Sequence, residues 1–162
     1  MYWANRKHYK YYTVIQNLLE SIGKQESILD IGSCDTPVST WGDFNYRYTL
    51  DIDKYKPLPG VTSIIGSWPQ DKSLLNLPVS IITCLQVLEH VENPILFCKE
   101  IFDSAKVAVI ISVPYKWPNG AEISHIQDPV DEDKLFSWTN RNPTEIRIID
   151  DKPARLVSYF SI

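Results

Sequence analysis

The run VSIITCL, Val79–Leu85, offers apolar or small residues to both faces of a strand. A strand with one wet face alternates polar and apolar residues. One without that alternation must be covered on both sides, as in a parallel sheet clad in helices. Other short apolar runs fit beside it: SILDIG (Ser27–Gly32), RYTLDID (Arg47–Asp53), VTSIIG (Val61–Gly66) and KVAVIISVP (Lys106–Pro114). Two amphipathic helices separate some of them. Val14, Ile15, Leu18, Leu19 and Ile22 share one helical stripe that Gly23 ends. Asn93 is placed as an N-cap, with Pro94 at the first helical position and an apolar face at Ile95, Cys98, Ile101 and Phe102. A short helix is expected over DPVDEDKLFSW, capped by Asp128, and EIRIID and ARLVSYF read as a closing hairpin. This alternation predicts an α/β fold, a doubly wound sheet. At 162 residues, with no repeat or low-complexity segment, one domain over residues 1–162 is expected, opened by an aromatic arm over 1–12.

Charge and cysteines narrow the function. The net charge is −4 and no run of Lys or Arg forms a basic face, which argues against a nucleic-acid partner. Cys34, Cys84 and Cys98 have neither C-x-x-C pairing nor zinc-ligand spacing, so free thiols in a reducing, cytoplasmic setting are expected. The opening MYWANRKHYKYY has no apolar segment of the secretory kind, and no run is long enough to span a bilayer. No membrane role is expected.

The first strand stops at LDIGSCD, a glycine followed by a polar turn. In an open parallel sheet, ligands bind beyond the carboxyl ends of the strands, where the strand order reverses. Gly32 permits close backbone approach there. The second strand ends in LDID, which sets Asp51 twenty-one residues after Asp30. A carboxylate at that place can accept hydrogen bonds from both hydroxyls of a ribose. The competing reading makes Gly32 a plain turn and Asp51 a solvated strand end.

SILDIGSCDTP, YTLDIDKY, SIITCLQVLEHVENP and VIISVPY together resemble a class I S-adenosylmethionine-dependent methyltransferase. VLEHVENP is the most specific piece, similar to the segment after the fourth strand in the small-molecule and sugar-pathway branches. The resemblance implies a single-domain Rossmann-like sheet of seven strands in order 3-2-1-4-5-7-6, strand 7 antiparallel, with S-adenosyl-L-methionine as cofactor. It implies that Asp30, Gly32, Ser33 and Cys34 lie by the methionine end, that Asp51 holds the ribose diol and that Ile52 packs on the adenine. Ser67 and Trp68 fall at the adenine-amino position, and Cys84, Leu85 and Gln86 line the pocket after strand four. The chain departs from the family at Cys34, where a second glycine is usual, and at Ser67, where an acidic residue is frequent.

Methyl transfer is an in-line displacement, so the protein mainly supplies alignment, with a base where the nucleophile carries a proton. His125, in the long loop after strand five, is the candidate base; an imidazole titrates near ~6.5 in water. Its competing role is a loop histidine bonded to backbone. Glu89 and His90 also resemble part of the metal-binding segment of small-RNA 3′-end methyltransferases, with His125 near the place of a further ligand. Gln86 replaces an acidic ligand, so no metal is expected, and Glu89 and His90 are read as capping the next helix and fastening a loop. Trp117, in YKWPNG, is a candidate stacking surface, and the aromatic arm a candidate lid or packing element.

The expected activity is therefore methylation of a small-molecule acceptor. HIQDPVDEDKLFSW looks like homologues in glycan pathways, which points to a sugar or glycan precursor. A non-catalytic methyltransferase-like module serving as a partner subunit is the alternative. A nicotinamide enzyme fits less well, since the full G-x-G-x-x-G is absent.

Overall fold

The computed structural model describes residues 2–162, so Met1 of the expected arm lies outside the described residues. Seven strands form one sheet: β1 (Gln25–Ile31), β2 (Phe44–Asp51), β3 (Thr62–Ile65), β4 (Val79–Leu85), β5 (Ala105–Pro114), β6 (Glu145–Ile149) and β7 (Arg155–Ser161). Their order is β3-β2-β1-β4-β5-β7-β6. The pairs among β1–β5 are parallel, and β7 runs antiparallel to both β5 and β6. The expected topology is observed throughout.

Strand alternation divides the core in two. Leu29, Ile31, Ile82, Cys84, Val109 and Ile111 face one layer, which α3 (Pro94–Ser104) and α4 (Glu132–Thr139) cover through Phe97, Ile101, Leu135 and Trp138. Ile28, Ile81, Leu85, Ala108 and Ile110 face the other, covered by Tyr11, Ile15 and Leu19 of α2 (Lys10–Ser21). All seven residues of β4 are buried, as its sequence requires.

The caps differ from expectation in one place. Asn93 caps α3 as read, its side chain accepting from Leu96 N at 3.1 Å. Helix α4, however, is capped by Asp131, which accepts from Lys134 N at 2.9 Å; Asp128 is used elsewhere. The first turn of α2 is capped from the far end of the chain. The Asp151 carboxylate accepts from Lys10 N at 2.7 Å and Tyr11 N at 3.0 Å. A negative charge there satisfies amides that have no partner inside the helix.

The helical cladding is thinner than a regular strand–helix alternation would give. Between β1 and β2 stands only the short 3-10 turn Val38–Thr40, and between β3 and β4 only Lys72–Leu74. These connections carry Pro37, Pro69 and Gly66, which do not propagate helix. The aromatic arm is helical over α1 (Tyr2–Arg6) and joins α2 at Lys10. It both packs and borders the site: Trp3 sits edge-on to Tyr12 and Trp41, while Tyr2, Arg6 and Tyr9 line the main cavity.

Register carries the site. Ile31 pairs with Leu50 on one side and Cys84 on the other. The residues just after β1, β2 and β4 therefore emerge together at one sheet edge.

Candidate active site

A cavity of about 960 Å³ opens at that edge. Gly32, Cys34, Asp51, Ile52, Ser67, Trp68, Gln86 and His125, all read from sequence, line it. Gly32 has φ +71°, and a Cβ there would meet Val87 Cγ2 at 2.4 Å. The glycine is thus fixed by the protein's own β4 loop crossing above it. Cys34 holds φ +49°, a left-handed conformation that costs an L-residue about 1–2 kcal/mol. It stands where glycine is usual in the resembled family, and the backbone keeps the shape glycine would adopt. Burial pushes its thiol up to about 11, so it is neutral at physiological pH.

Asp51 joins the two turns. Its Oδ2 accepts from Cys34 N at 2.8 Å and its Oδ1 from Asp53 N at 3.0 Å. A carboxylate oxygen accepts more than one hydrogen bond, so each retains capacity toward the cavity. Ile52, beside it, is 72% exposed, an apolar side chain without a protein partner. Across the cleft, Ser67 N donates to Asp71 Oδ2 at 2.8 Å and Ser67 Oγ to Gln70 Oε1 at 3.2 Å. Trp68 meets the cavity only as floor: it is buried, its Nε1 donating to Phe97 O at 3.3 Å. Gln86 turns at φ +57°, with Nε2 donating to Ser112 Oγ at 3.2 Å.

Asp30, Ser33, Cys84 and Leu85 do not line this cavity. Cys84 and Leu85 are the last residues of β4, and strand alternation sends them into opposite core layers, so the chain reaches the cleft only at Gln86. Asp30 lies beneath, its Oδ1 accepting from Thr83 Oγ1 at 2.6 Å. Burial raises its carboxyl to about 7, against the hydrogen bond from Thr83. Ser33 is buried within the turn.

The other wall is built by the β4 and β5 loops. His125 Nδ1 lies 2.7 Å from Asp128 Oδ2, whose side chain is fully buried. His90 Nδ1 lies 2.9 Å from the Ser124 carbonyl, which can only accept. In the neutral form of each ring, these contacts place the proton on Nδ1 and leave Nε2 bare. The two rings meet edge-on at 4.8 Å between centroids. Glu89 is buried beside them, its Oε2 without a partner, and burial pushes its carboxyl up to about 8. One ligand atom from each of Glu89, His90 and His125 falls within 4.8 Å of the others, a donor set that a divalent cation can use.

The structural role expected of Glu89 and His90 is half observed. Their loop is fastened: Glu89 O accepts from Ile126 N at 2.9 Å and Gln127 N at 3.2 Å. The helix cap falls to Asn93, however, and the Glu89 carboxyl is left over. Trp117 packs against His125 and Arg155, so the protein itself uses the ring surface read as a stacking platform. Asp128, Arg6 and Arg155 were not foreseen. The H-x-x-D spacing of His125 and Asp128 is a signal in the sequence; Arg155 has none.

No protein-family model and no curated protein matches the chain. Solved structures match in fold. N-methyltransferase NodS from Bradyrhizobium japonicum WM9 superposes with a TM-score of 0.75 at 11% identity, covering 94% of each chain. Magnesium protoporphyrin IX methyltransferase (ChlM) from Synechocystis PCC 6803, with bound SAH, gives 0.67 at 11% identity over 94% of this chain and 83% of that one. A SAM-dependent methyltransferase from Aquifex aeolicus gives 0.62 at 15% identity over 91% and 89%. The chain has the class I methyltransferase fold.

Proposed function

We propose that the chain transfers a methyl group from S-adenosylmethionine to a small molecule, with a sugar or glycan precursor as the acceptor. The observation that carries this reading is the open cleft with Asp51 at its rim and the His125–Asp128 pair on its far wall. Fold neighbours crystallised with S-adenosylhomocysteine, among them NodS, support the same donor.

The donor supplies an activated sulfonium methyl, so the chain's own work is placement and proton handling. Of the residues lining the cleft, Asp51 would receive the ribose hydroxyls, Ile52 and the Ser67 turn would flank the base, and the Gly32–Cys34 turn would border the methionine end. Placement alone can lower such a barrier by about 7–11 kcal/mol. His125 Nε2 takes the acceptor's proton, and Asp128 holds the ring in that tautomer and balances the charge it gains. The three unpaired cysteines accord with work in a reducing compartment. Calorimetry with S-adenosylmethionine and S-adenosylhomocysteine tests the reading. Micromolar binding, weakened more than tenfold in Asp51→Ala, is expected; absence of binding at millimolar donor favours a non-catalytic module.

The unpartnered Glu89 oxygen favours a second reading of the same corner, in which Glu89, His90 and His125 hold a divalent cation that would polarise acceptor hydroxyls. Activity restored by Mn²⁺ after chelation would select it.

A further inference from the structure

Arg155 opens β7 and is paired with Pro114 at the end of β5. It is the largest fully buried side chain described, at 1% exposure, yet it borders the main cavity. A guanidinium carries five N–H donors. Here Nη1 donates to Pro153 O at 2.7 Å, while Nε is buried with no partner. Among the described residues no acidic side chain forms an ion pair with it. Its surroundings are aromatic: the guanidinium carbon lies 4.1 Å from the Tyr9 ring centre, 5.1 Å from Tyr11 and 5.6 Å from Trp117.

Ring faces attract a cation but fill none of its donors. The buried acids on this side of the molecule are otherwise engaged. Asp151 caps α2. Glu89 turns Oε1 toward His90, 3.9 Å from its Nε2, and Asp128 holds His125. A buried guanidinium without an anion is costly to keep, and the fork of a guanidinium matches an oxyanion.

We propose that Arg155 is the anchor for an oxyanion, carboxylate or phosphate, carried by the acceptor, so that the acceptor is an acid. The word acceptor rests on the methyl-transfer reading; the anion site does not. Trp117 fixes where the anion goes. Its indole stacks on His125 at 5.3 Å and meets Arg155 on the same ring system. The anchored anion therefore lies on the same wall of the cavity as the base, with the Trp117 ring linking the two. Arg6, over the Tyr2 ring at 4.2 Å, adds a second cation on the cavity wall that draws anions inward.

The test uses the whole protein, ¹⁵N-labelled, titrated with acetate and with inorganic phosphate against a chloride background, with and without saturating S-adenosylhomocysteine. The Arg155 Nε–H and Trp117 Nε1–H resonances are followed. A saturable millimolar shift of both, given by one oxyanion or both and not by chloride, is expected, and which anion saturates identifies the group. Arg155→Lys keeps the charge and loses the fork, and should weaken the anion at least tenfold. Arg6→Gln, at a less buried site, should weaken it a few-fold while the Arg155 resonance still moves. If Arg155→Lys does not fold, the wild-type titration decides alone. No shift, or a linear drift equal to that of chloride, overturns the proposal. Anion binding without S-adenosylhomocysteine binding leaves the anchor standing and removes the methyl-transfer reading; the converse removes the anchor alone.

Discussion

Glu89 makes stability fall as pH rises, by an amount that can be worked out. Its carboxyl is 1% exposed, has one oxygen without a partner, and is pushed from 4.5 up to about 8 by burial. Below pH 4.5 the group is protonated in both folded and unfolded chains, and no penalty exists. Between 4.5 and about 8 the unfolded chain ionises while the folded one keeps its proton, so rising pH favours unfolding. At ~1.4 kcal/mol per pH unit the penalty reaches about 3 kcal/mol at pH 7 and about 5 kcal/mol above pH 8. Asp30, raised to about 7, acts with the same sign. The two together give a slope of about −2.7 kcal/mol per unit from pH 5 to 7. Glu89→Gln keeps the shape and removes one titrating proton. Urea melts should show the variant's slope halved between pH 5 and 7, and the variant more stable than wild type by about 3 kcal/mol at pH 7. Equal slopes would mean that Glu89 is ionised in the folded protein, and the burial argument would be wrong. The same melts bear on the cation reading, since bound Mn²⁺ would hold Glu89 ionised and abolish its share of the slope.

Four further substitutions have stated outcomes. His125→Gln should lower kcat by ~10²–10⁴-fold with donor affinity unchanged, and Asp128→Asn should also move the acid limb of the pH–rate profile, since it acts through the ring it holds. Gly32→Ala brings a Cβ to 2.4 Å from Val87 at a positive φ; denaturant unfolding should show a loss of about 2–4 kcal/mol, with weaker donor binding as the loop shifts. Cys34→Gly relieves a left-handed residue at φ +49° and should leave stability unchanged or raise it by up to about 1 kcal/mol; a comparable loss would show the side chain to be needed.

What the sequence showed depended on how local the determinant was. The buried run of β4 and the Asn93–Pro94 start of α3 are written in adjacent residues and were read to the position. The strand-end side of the cleft was legible for the same reason: it is backbone at strand ends, and Gly32, Asp51 and Gln86 stand at those ends. Cys84 and Leu85 missed the cleft because membership of the right strand does not decide which face a residue takes. Asp128 and Asp131 both precede the same apolar run, and pattern alone cannot choose between them. The choice is made by a contact with His125 in a loop without periodicity. Arg155 was invisible because an arginine in a closing hairpin reads as a solvent residue. Only the arrival of Tyr9, Tyr11 and Trp117 from distant segments buries it.

That division has an energetic counterpart. Six buried side-chain polar atoms lack a hydrogen-bond partner among the described residues, and three of them lie at one wall of the cleft: Glu89 Oε2 and Arg155 Nε in residues that line it, and Asp128 Oδ1 just behind His125. Each such atom costs about 1–3 kcal/mol if nothing meets it. The donor side shows the opposite pattern, with both Asp51 oxygens already held by backbone amides. The buried atoms left over on the His125 and Arg155 side would be met by a bound acid and not by a ligand held at Asp51. On the methyl-transfer reading donor and acceptor would lie against each other in this one cleft, so the thermal stabilisation given by an acid acceptor should be larger when S-adenosylhomocysteine is also bound. Equal stabilisation by the acid with and without S-adenosylhomocysteine would show the two halves to be independent.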